Sequence, residues 1–191
     1  RAERRRVSAV TSLPLAPFLA ELTRRVDLSP LYRPFRDRYL GVLVACHDRS
    51  VDYYAISGFR SVEDQDALYA IGRVRADDGS WVITDAGKVV TRARGGSSGH
   101  NFGVACDSAK DKDATRAGLQ PSWGISDYQV LAEEANRAGL EAGYDWISFR
   151  DAPHVQLPLA SRGITLREMQ TLYSKGGLPA VWDRLDSVGS W

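Results

Sequence analysis

An α+β domain with an antiparallel sheet is the architecture this sequence predicts, and three observations predict it. Helical spacing fills the first fifty residues, short alternating strands follow, and helices opened by capping residues are interposed between those strands. The chain has 191 residues, which fits one domain. We divide it into a helical lead-in segment, residues 1–28, and a main domain, residues 29–191. With 43% hydrophobic and 26% charged residues it can bury a real core. A net charge of +1, with Arg interleaved among Asp and Glu, makes no electrostatic case for nucleic acid.

Two cysteines, Cys46 and Cys106, are too few for a disulfide framework and have no zinc-ribbon spacing. Cys106 is expected as a small buried hydrophobe. No apolar run reaches 18 residues, so no membrane span is expected. RAERRR followed by VSAVTSLPLAPFLA imitates a signal peptide, but Ser8, Thr11, Ser12, Pro14 and Pro17 interrupt it; a processed chain with a loose lead-in helix is the expectation.

Leu15 to Val26 has helical spacing, and Ser29-Pro30 marks a short helical turn. Pro34 opens a helix to about His47 with Phe35, Tyr39, Leu43 and Cys46 on its buried face. Tyr53 to Ser57 alternates like a strand. Ser61 caps the next helix, with Asp64 at the third position, Ala67, Leu68 and Ile71 inward, and Gly72 as the stop. Asp78-Gly79 reads as a hairpin turn, with strands at Trp81–Thr84 and Lys88–Thr91. Asp111 to Gln120 is a polar surface excursion. Ser126 with Gln129 is a capping box for a helix burying Tyr128, Leu131 and Ala135. Tyr144–Phe149 and Val155–Leu157 read as the last strands. Thr165 with Glu168 caps a helix that ends at Gly176-Gly177, and Pro179 starts a final one.

The chemistry lies in two stretches. In GGSSGHNFGVACD, His100 and Asp107 are seven positions apart. A straight strand would separate them by roughly 23 Å and a helix by roughly 10 Å. A reversal through Asn101, Phe102 and Gly103, with Gly103 in backbone angles that other residues resist, would let them converge. On the following strand Ala105 shares the face of Asp107, and its small side chain leaves room beside an ion. In DWISFRDAPHVQLP, His154 supplies a third donor and Asp151 stands three residues before it, on a loop that Pro153 keeps from being helical. Two His, one Asp and a spare carboxylate are the inventory of a catalytic zinc site with an open position for water.

The pattern S-x-H-x-x-G-x-A-x-D, here Ser98, His100, Gly103, Ala105 and Asp107, and the later W-x-x-F-x-D-x-P-H-x-Q together resemble the zinc peptidoglycan peptidases related to VanY-like D,D-carboxypeptidases. Within that group the chain is most similar to the L-alanyl-D-glutamate endopeptidases of phage endolysins and bacterial autolysins. The likeness runs from about Ser29 to about Leu185 and takes in SGFRSVEDQDALYAIGR and GGLPAVW. It implies a VanY/hedgehog-like fold, a small antiparallel sheet carrying the zinc site between flanking helices, with residues 29–191 as the peptidase domain.

The resemblance also implies roles. His100, Asp107 and His154 would hold Zn2+, and Asp151 would act as general base for zinc-activated water. Arg60 would steady the carbonyl oxygen as it becomes negative. Asp at position 151 resembles the L-alanyl-D-glutamate cleavers, whereas Glu is the habit of the D,D-carboxypeptidases. Ser98, Gln65 and Trp146 are candidate substrate contacts, with loop or helix hydrogen bonding as the alternative for Ser98 and Gln65. Trp146 and Phe149 are read as core residues before cleft residues, and His47 as structural. Val155 departs from the aromatic that endolysin relatives commonly carry after the ligand His.

The expected partner is a peptidoglycan stem peptide, cut by a monomer acting on the cell wall; phage lysin, autolysin and secreted effector all remain open contexts. Two alternatives stand beside the endopeptidase: a D,D- or L,D-carboxypeptidase removing terminal D-Ala, and a non-catalytic zinc-stabilised wall-binding module.

Overall fold

The computed structural model describes residues 15–22, 25–113 and 118–189. The expected helix to Val26 therefore falls partly outside the described residues, as does the interior of the 111–120 excursion. The first helix, α1 (Leu15–Leu22), buries Phe18 and Leu22 in the same core as the rest of the domain. Pro34 sits in the first turn of α2 (Arg33–Asp48), where its missing N–H costs nothing. The face Phe35, Tyr39, Leu43 and Cys46 is buried as the spacing requires. His47 is structural: its ring stacks on Phe18 at 4.2 Å, and Nδ1 lies 2.7 Å from Asp52 Oδ1.

Five strands form the main antiparallel sheet: β1 (Tyr53–Ser57), β4 (Ala105–Asp111), β5 (Pro121–Ser122), β6 (Glu141–Ala142) and β7 (His154–Gln156). Their order is β1-β4-β7-β6, with β5 pairing the far end of β4. β4 is thus the central strand, and its register decides the site. Asp107 stands opposite His154 on one side and Ser57 on the other, next to a bulge that skips Ile56. A bulge re-aims the residues that follow it, here Ser57, Gly58 and the stretch leading to Arg60.

One side of the sheet packs on α2 and α4 (Gln129–Arg137), burying Tyr39, Leu43, Tyr53, Cys106, Tyr128, Leu131 and Val155. Each such side chain contributes ~1.5–3 kcal/mol on burial. The buried Tyr39 hydroxyl is satisfied by Ser108 Oγ at 2.7 Å. Cys46 and Cys106 are free and buried, and burial pushes the Cys46 thiol up to about 12. Val155 faces this core, so its lack of an aromatic ring leaves the neighbouring His154 untouched. Among the described residues no helix is long and apolar enough to cross a membrane.

Several local expectations are corrected. In α3 (Val62–Ala70), Ser61 Oγ does accept from Asp64 N, but the buried residue is Gln65, not Ala67, Leu68 or Ile71. The helix packs on the 91–95 segment through a polar contact and lies away from the core. The Asp78-Gly79 turn joins β2 (Arg73–Arg75) to β3 (Trp81–Ile83), so the partner of Trp81 precedes the turn. The predicted strand Lys88–Thr91 is a 3₁₀ turn, Ala86–Lys88, and a loop whose Thr91 carbonyl accepts from Arg73. Ser126 does not cap α4, which is entered through a 3₁₀ turn, Ile125–Tyr128. Tyr144–Phe149 is not a strand either: the Gly143 carbonyl accepts from both Trp146 N and Asp151 N, which coils the segment back. The closing helix, α5 (Leu166–Ser187), is capped by Thr165 and broken at Gly176-Gly177, as expected.

Gly103 ends the His100 turn at φ 69°, and a Cβ there would lie 2.8 Å from the Pro30 carbonyl oxygen. A left-handed non-glycine residue costs roughly 1–2 kcal/mol before any clash. Gly103→Ala is expected to lower stability by at least ~2 kcal/mol in denaturant unfolding; a change within 0.5 kcal/mol would contradict this reading.

Candidate metal centre

The reversal expected after His100 is a 3₁₀ turn, Gly99–Phe102, closed by Gly103. Ser98 caps it: its hydroxyl accepts from His100 N at 3.4 Å, while Asn101 Oδ1 accepts from Ser98 N at 3.3 Å. The small Ala105 lets the turn lie close, since a Cβ on Gly99 would be 3.0 Å from that methyl. The turn thereby brings His100 Nε2 to 3.2 Å from Asp107 Oδ1. Across the sheet, His154 Nδ1 lies 3.0 Å from the same oxygen. One donor atom from each of His100, Asp107 and His154 lies within 4.8 Å of the others, the span that a single ion would bridge.

The remaining ring nitrogens decide whether these donors suit a metal. His100 Nδ1 is 2.7 Å from the Gly58 carbonyl, which can only accept, so that nitrogen carries the proton and Nε2 presents its lone pair. His154 Nε2 is 3.0 Å from Gln156 Oε1, and with that oxygen as acceptor the proton lies on Nε2 and Nδ1 is free. Both lone pairs then face the carboxylate, so two neutral imidazoles and one carboxylate fit zinc. Without the ion, burial tends to raise the Asp107 pKa, but the charge and hydrogen bonds of His100 and His154 outweigh it and hold the group well below the usual carboxylate range. Burial pulls His154 down, and the hydrogen bond and charge of Asp107 outweigh that, leaving it raised. A metal at this site therefore competes with a proton on His154.

A cleft of about 480 Å³ opens over the cluster. Asp151 lines it, on a loop fixed by Asp151 N to the Gly143 carbonyl at 3.0 Å and by His154 N to the Asp151 carbonyl at 3.0 Å. Gly143 permits that approach, because a Cβ would sit 2.4 Å from the Asp151 carbonyl oxygen. Burial raises the Asp151 pKa, Asp107 adds to the rise, and His154, His100 and Arg60 offset part of it.

Arg60 lines the same cleft, with Nη2 3.7 Å from Asp107 Oδ2. Its guanidinium is fixed by Gln65 Oε1 and Ser57 Oγ, both at 2.7 Å. Gln65 is fully buried and donates to the Ala93 carbonyl at 2.8 Å, so it supports Arg60 from behind and does not line the cleft. Ser98 lines the cleft besides capping its turn. Trp146, a candidate substrate contact, and Phe149, both read from sequence as core before cleft, line the cleft: Trp146 lies 5.2 Å from the His154 ring, and the 42% exposed Phe149 lies under Arg92.

Sequence reasoning missed the residues that brace these groups. Asn101 is fully buried and donates to the Arg60 and Ser61 carbonyls at 2.9 and 3.0 Å, while its own carbonyl accepts from Gly96 N and Ser98 N. It locks the Arg60 segment to the His100 turn. Its presence inside the first motif was the available signal; its side-chain capacity for four hydrogen bonds explains the position better than chain reversal does.

The VanY family, described as D-alanyl-D-alanine carboxypeptidase, matches residues 32–151. The chain is 36% identical over 138 residues to the peptidoglycan L-alanyl-D-glutamate endopeptidase CwlK of Bacillus subtilis (strain 168), covering 69% of this chain and 74% of that protein. Among solved structures, the Serratia marcescens L-Ala D-Glu endopeptidase ChiX aligns over 72% of this chain and 94% of that one, at 21% identity and a TM-score of 0.41.

The raised pKa of Asp151 has a consequence for stability. Its folded value lies above 3.8, so ionising it costs folded-state stability; that cost is absent below the unfolded value and fully present above the folded one. Asn carries no such cost. Metal-free Asp151→Asn should therefore melt above the parent at pH 7, with the gap closing as the pH falls toward 3.8. An equal or lower melting temperature at pH 7 would show that burial of this carboxylate is not a burden.

Proposed function

The chain belongs to the VanY family of peptidases, and from that premise we propose that it hydrolyses the stem peptides of peptidoglycan at the L-alanyl-D-glutamate bond, using zinc held by His100, Asp107 and His154. The single observation that carries the metal assignment is the convergence of these three donors with the outer nitrogen of each imidazole already engaged. Identity to an L-alanyl-D-glutamate endopeptidase and the Asp at position 151 favour that bond over a terminal D-Ala. Residues 29–191 are taken as the peptidase domain, with α1 completing its core. All the groups come from one chain, which supports a monomer acting on the wall.

Zinc in such a site supplies Lewis acidity, polarising a carbonyl and lowering the pKa of water toward ~7. The protein does the rest. Asp151, whose buried setting makes it a better base than a solvated Asp, accepts the proton of the attacking water and returns it to the departing amine. Arg60, aimed by Gln65 and Ser57, offers its guanidinium to the carbonyl oxygen as negative charge develops there. Trp146 covers His154 and narrows access of bulk water to the site. Phe149 and Arg92 form the outer wall against which the peptide lies.

A digest of purified peptidoglycan with and without chelator, read by mass spectrometry, tests the proposal. Chelator-sensitive products with a new D-Glu amino terminus are expected; released D-Ala would instead establish the carboxypeptidase that the family description names, and no cleavage by a zinc-loaded, folded sample would favour a wall-binding module. Asp151→Asn should keep zinc and lose ~10²–10⁴-fold in rate, and retained turnover would remove Asp151 from the base role. His100→Ala should lose both zinc and activity, so unchanged zinc content would sink the ligand assignment. Arg60→Ala should lose ~10²-fold in kcat with zinc still bound, and Gln65→Ala part of that loss.

A further inference from the structure

Gln156, the last residue of the second motif, is used by none of the steps above, yet it is one member of a continuous chain of hydrogen bonds running outward from the metal cluster. His154 Nε2 faces Gln156 Oε1 at 3.0 Å, Gln156 Nε2 donates to Glu141 Oε2 at 3.3 Å, and Trp146 Nε1 donates to Glu141 Oε1 at 2.5 Å. The sheet builds this row, since Glu141 and Gln156 are directly paired residues of adjacent strands.

The chemistry of the row is directional. An amide alone cannot select a tautomer, because Gln can turn either its oxygen or its NH2 toward an imidazole. A carboxylate can only accept. Glu141 therefore holds the Gln156 NH2 toward itself, which leaves Oε1 facing His154, and an acceptor there requires the proton on Nε2. The Nδ1 lone pair is then committed to the side of Asp107 and His100. Trp146 fixes the other carboxylate oxygen, so Glu141 cannot swing away while the indole stays over His154. His100 needs no such device, because a backbone carbonyl performs the same selection for it.

We infer that Glu141, acting through Gln156, is a positioning residue for the metal centre: it sets the tautomer and orientation in which His154 offers Nδ1 to the ion. This rests on the metal reading given above. Outer partners of ligating imidazoles typically contribute ~10–100-fold in metal affinity, and Glu141 is placed to make that contribution across two strands.

The test compares the full chain, its Glu141→Gln variant and the double variant Glu141→Gln, Gln156→Glu, measuring zinc affinity by chelator competition and the His154 tautomer by long-range proton–nitrogen NMR of the zinc-loaded proteins. With Gln at 141 the amide at 156 can flip, and zinc affinity is expected to fall by ~10-fold or more. The exchange restores an obligate acceptor beside His154 and a donor behind it, so the double variant is expected to regain most of the affinity. The parent is expected to carry its His154 proton on Nε2. Affinity within about twofold of the parent in Glu141→Gln, or a double variant no better than the single one, would overturn the inference while leaving the metal assignment standing; a parent proton on Nδ1 would overturn it together with the assignment of His154 Nδ1 as a donor. A parent chain that takes up no stoichiometric zinc would overturn both the inference and the metal assignment.

Discussion

The structure turns on one carboxylate placed in the middle of a sheet. Asp107 sits on the central strand, and an uncompensated charge there would cost several kcal/mol. Its compensation arrives from three directions: His154 from the strand on one side, His100 from the turn before its own strand, and Arg60 from the far end of β1. None of these partners is close to Asp107 through local geometry alone. The antiparallel register places His154, the left-handed Gly103 returns His100, and the bulge after Ala55 releases the chain toward Arg60. In the metal-free state the charge and hydrogen bonds of His100 and His154 hold Asp107 ionised.

Around that carboxylate the protein invests in bracing. Gly58 offers its carbonyl to His100, Asn101 ties the Arg60 backbone to the His100 turn, and Gln65 fixes the guanidinium from a fully buried position. The first two of these contacts link segments about forty residues apart in sequence. The bracing also explains why α3 exposes apolar residues that its sequence suggested would be buried. Its inward task is to deliver one amide, and the core is formed elsewhere, between the sheet, α2 and α4.

What was legible in the sequence followed from chemical rarity. Two of the three histidines of this chain belong to motifs that also carry a carboxylate, so the convergence of His100, Asp107 and His154 and the reversal at Gly103 could be read together. The α2 face was legible because large apolar side chains at helical spacing have few other uses. Bracing residues were not, since Asn, Gln, Ser and Glu occur on every surface and their roles depend on register and bulges that sequence does not display. The same limit accounts for Tyr144–Phe149. Its aromatic residues suit a strand, but Gly143 gathers two backbone N–H groups and turns the segment into the cleft wall, taking Trp146 and Phe149 with it.

The site also divides its labour between two kinds of support. The proposed ligands His154 and Asp107 are paired residues of adjacent strands, where register allows almost no independent movement. Asp151 stands on a loop held by two backbone hydrogen bonds, one to Gly143 and one to His154, so its position is referred directly to that of His154. This arrangement suits the base role proposed for a short carboxylate. Asp reaches one methylene less far than Glu, and a carboxylate that must meet the reacting water without a long side chain depends on backbone placement. Gly143 supplies it by admitting the Asp151 carbonyl to a distance that any side chain would block. The choice of Asp over Glu is therefore tied to a glycine eight residues earlier, and the two positions are expected to vary together.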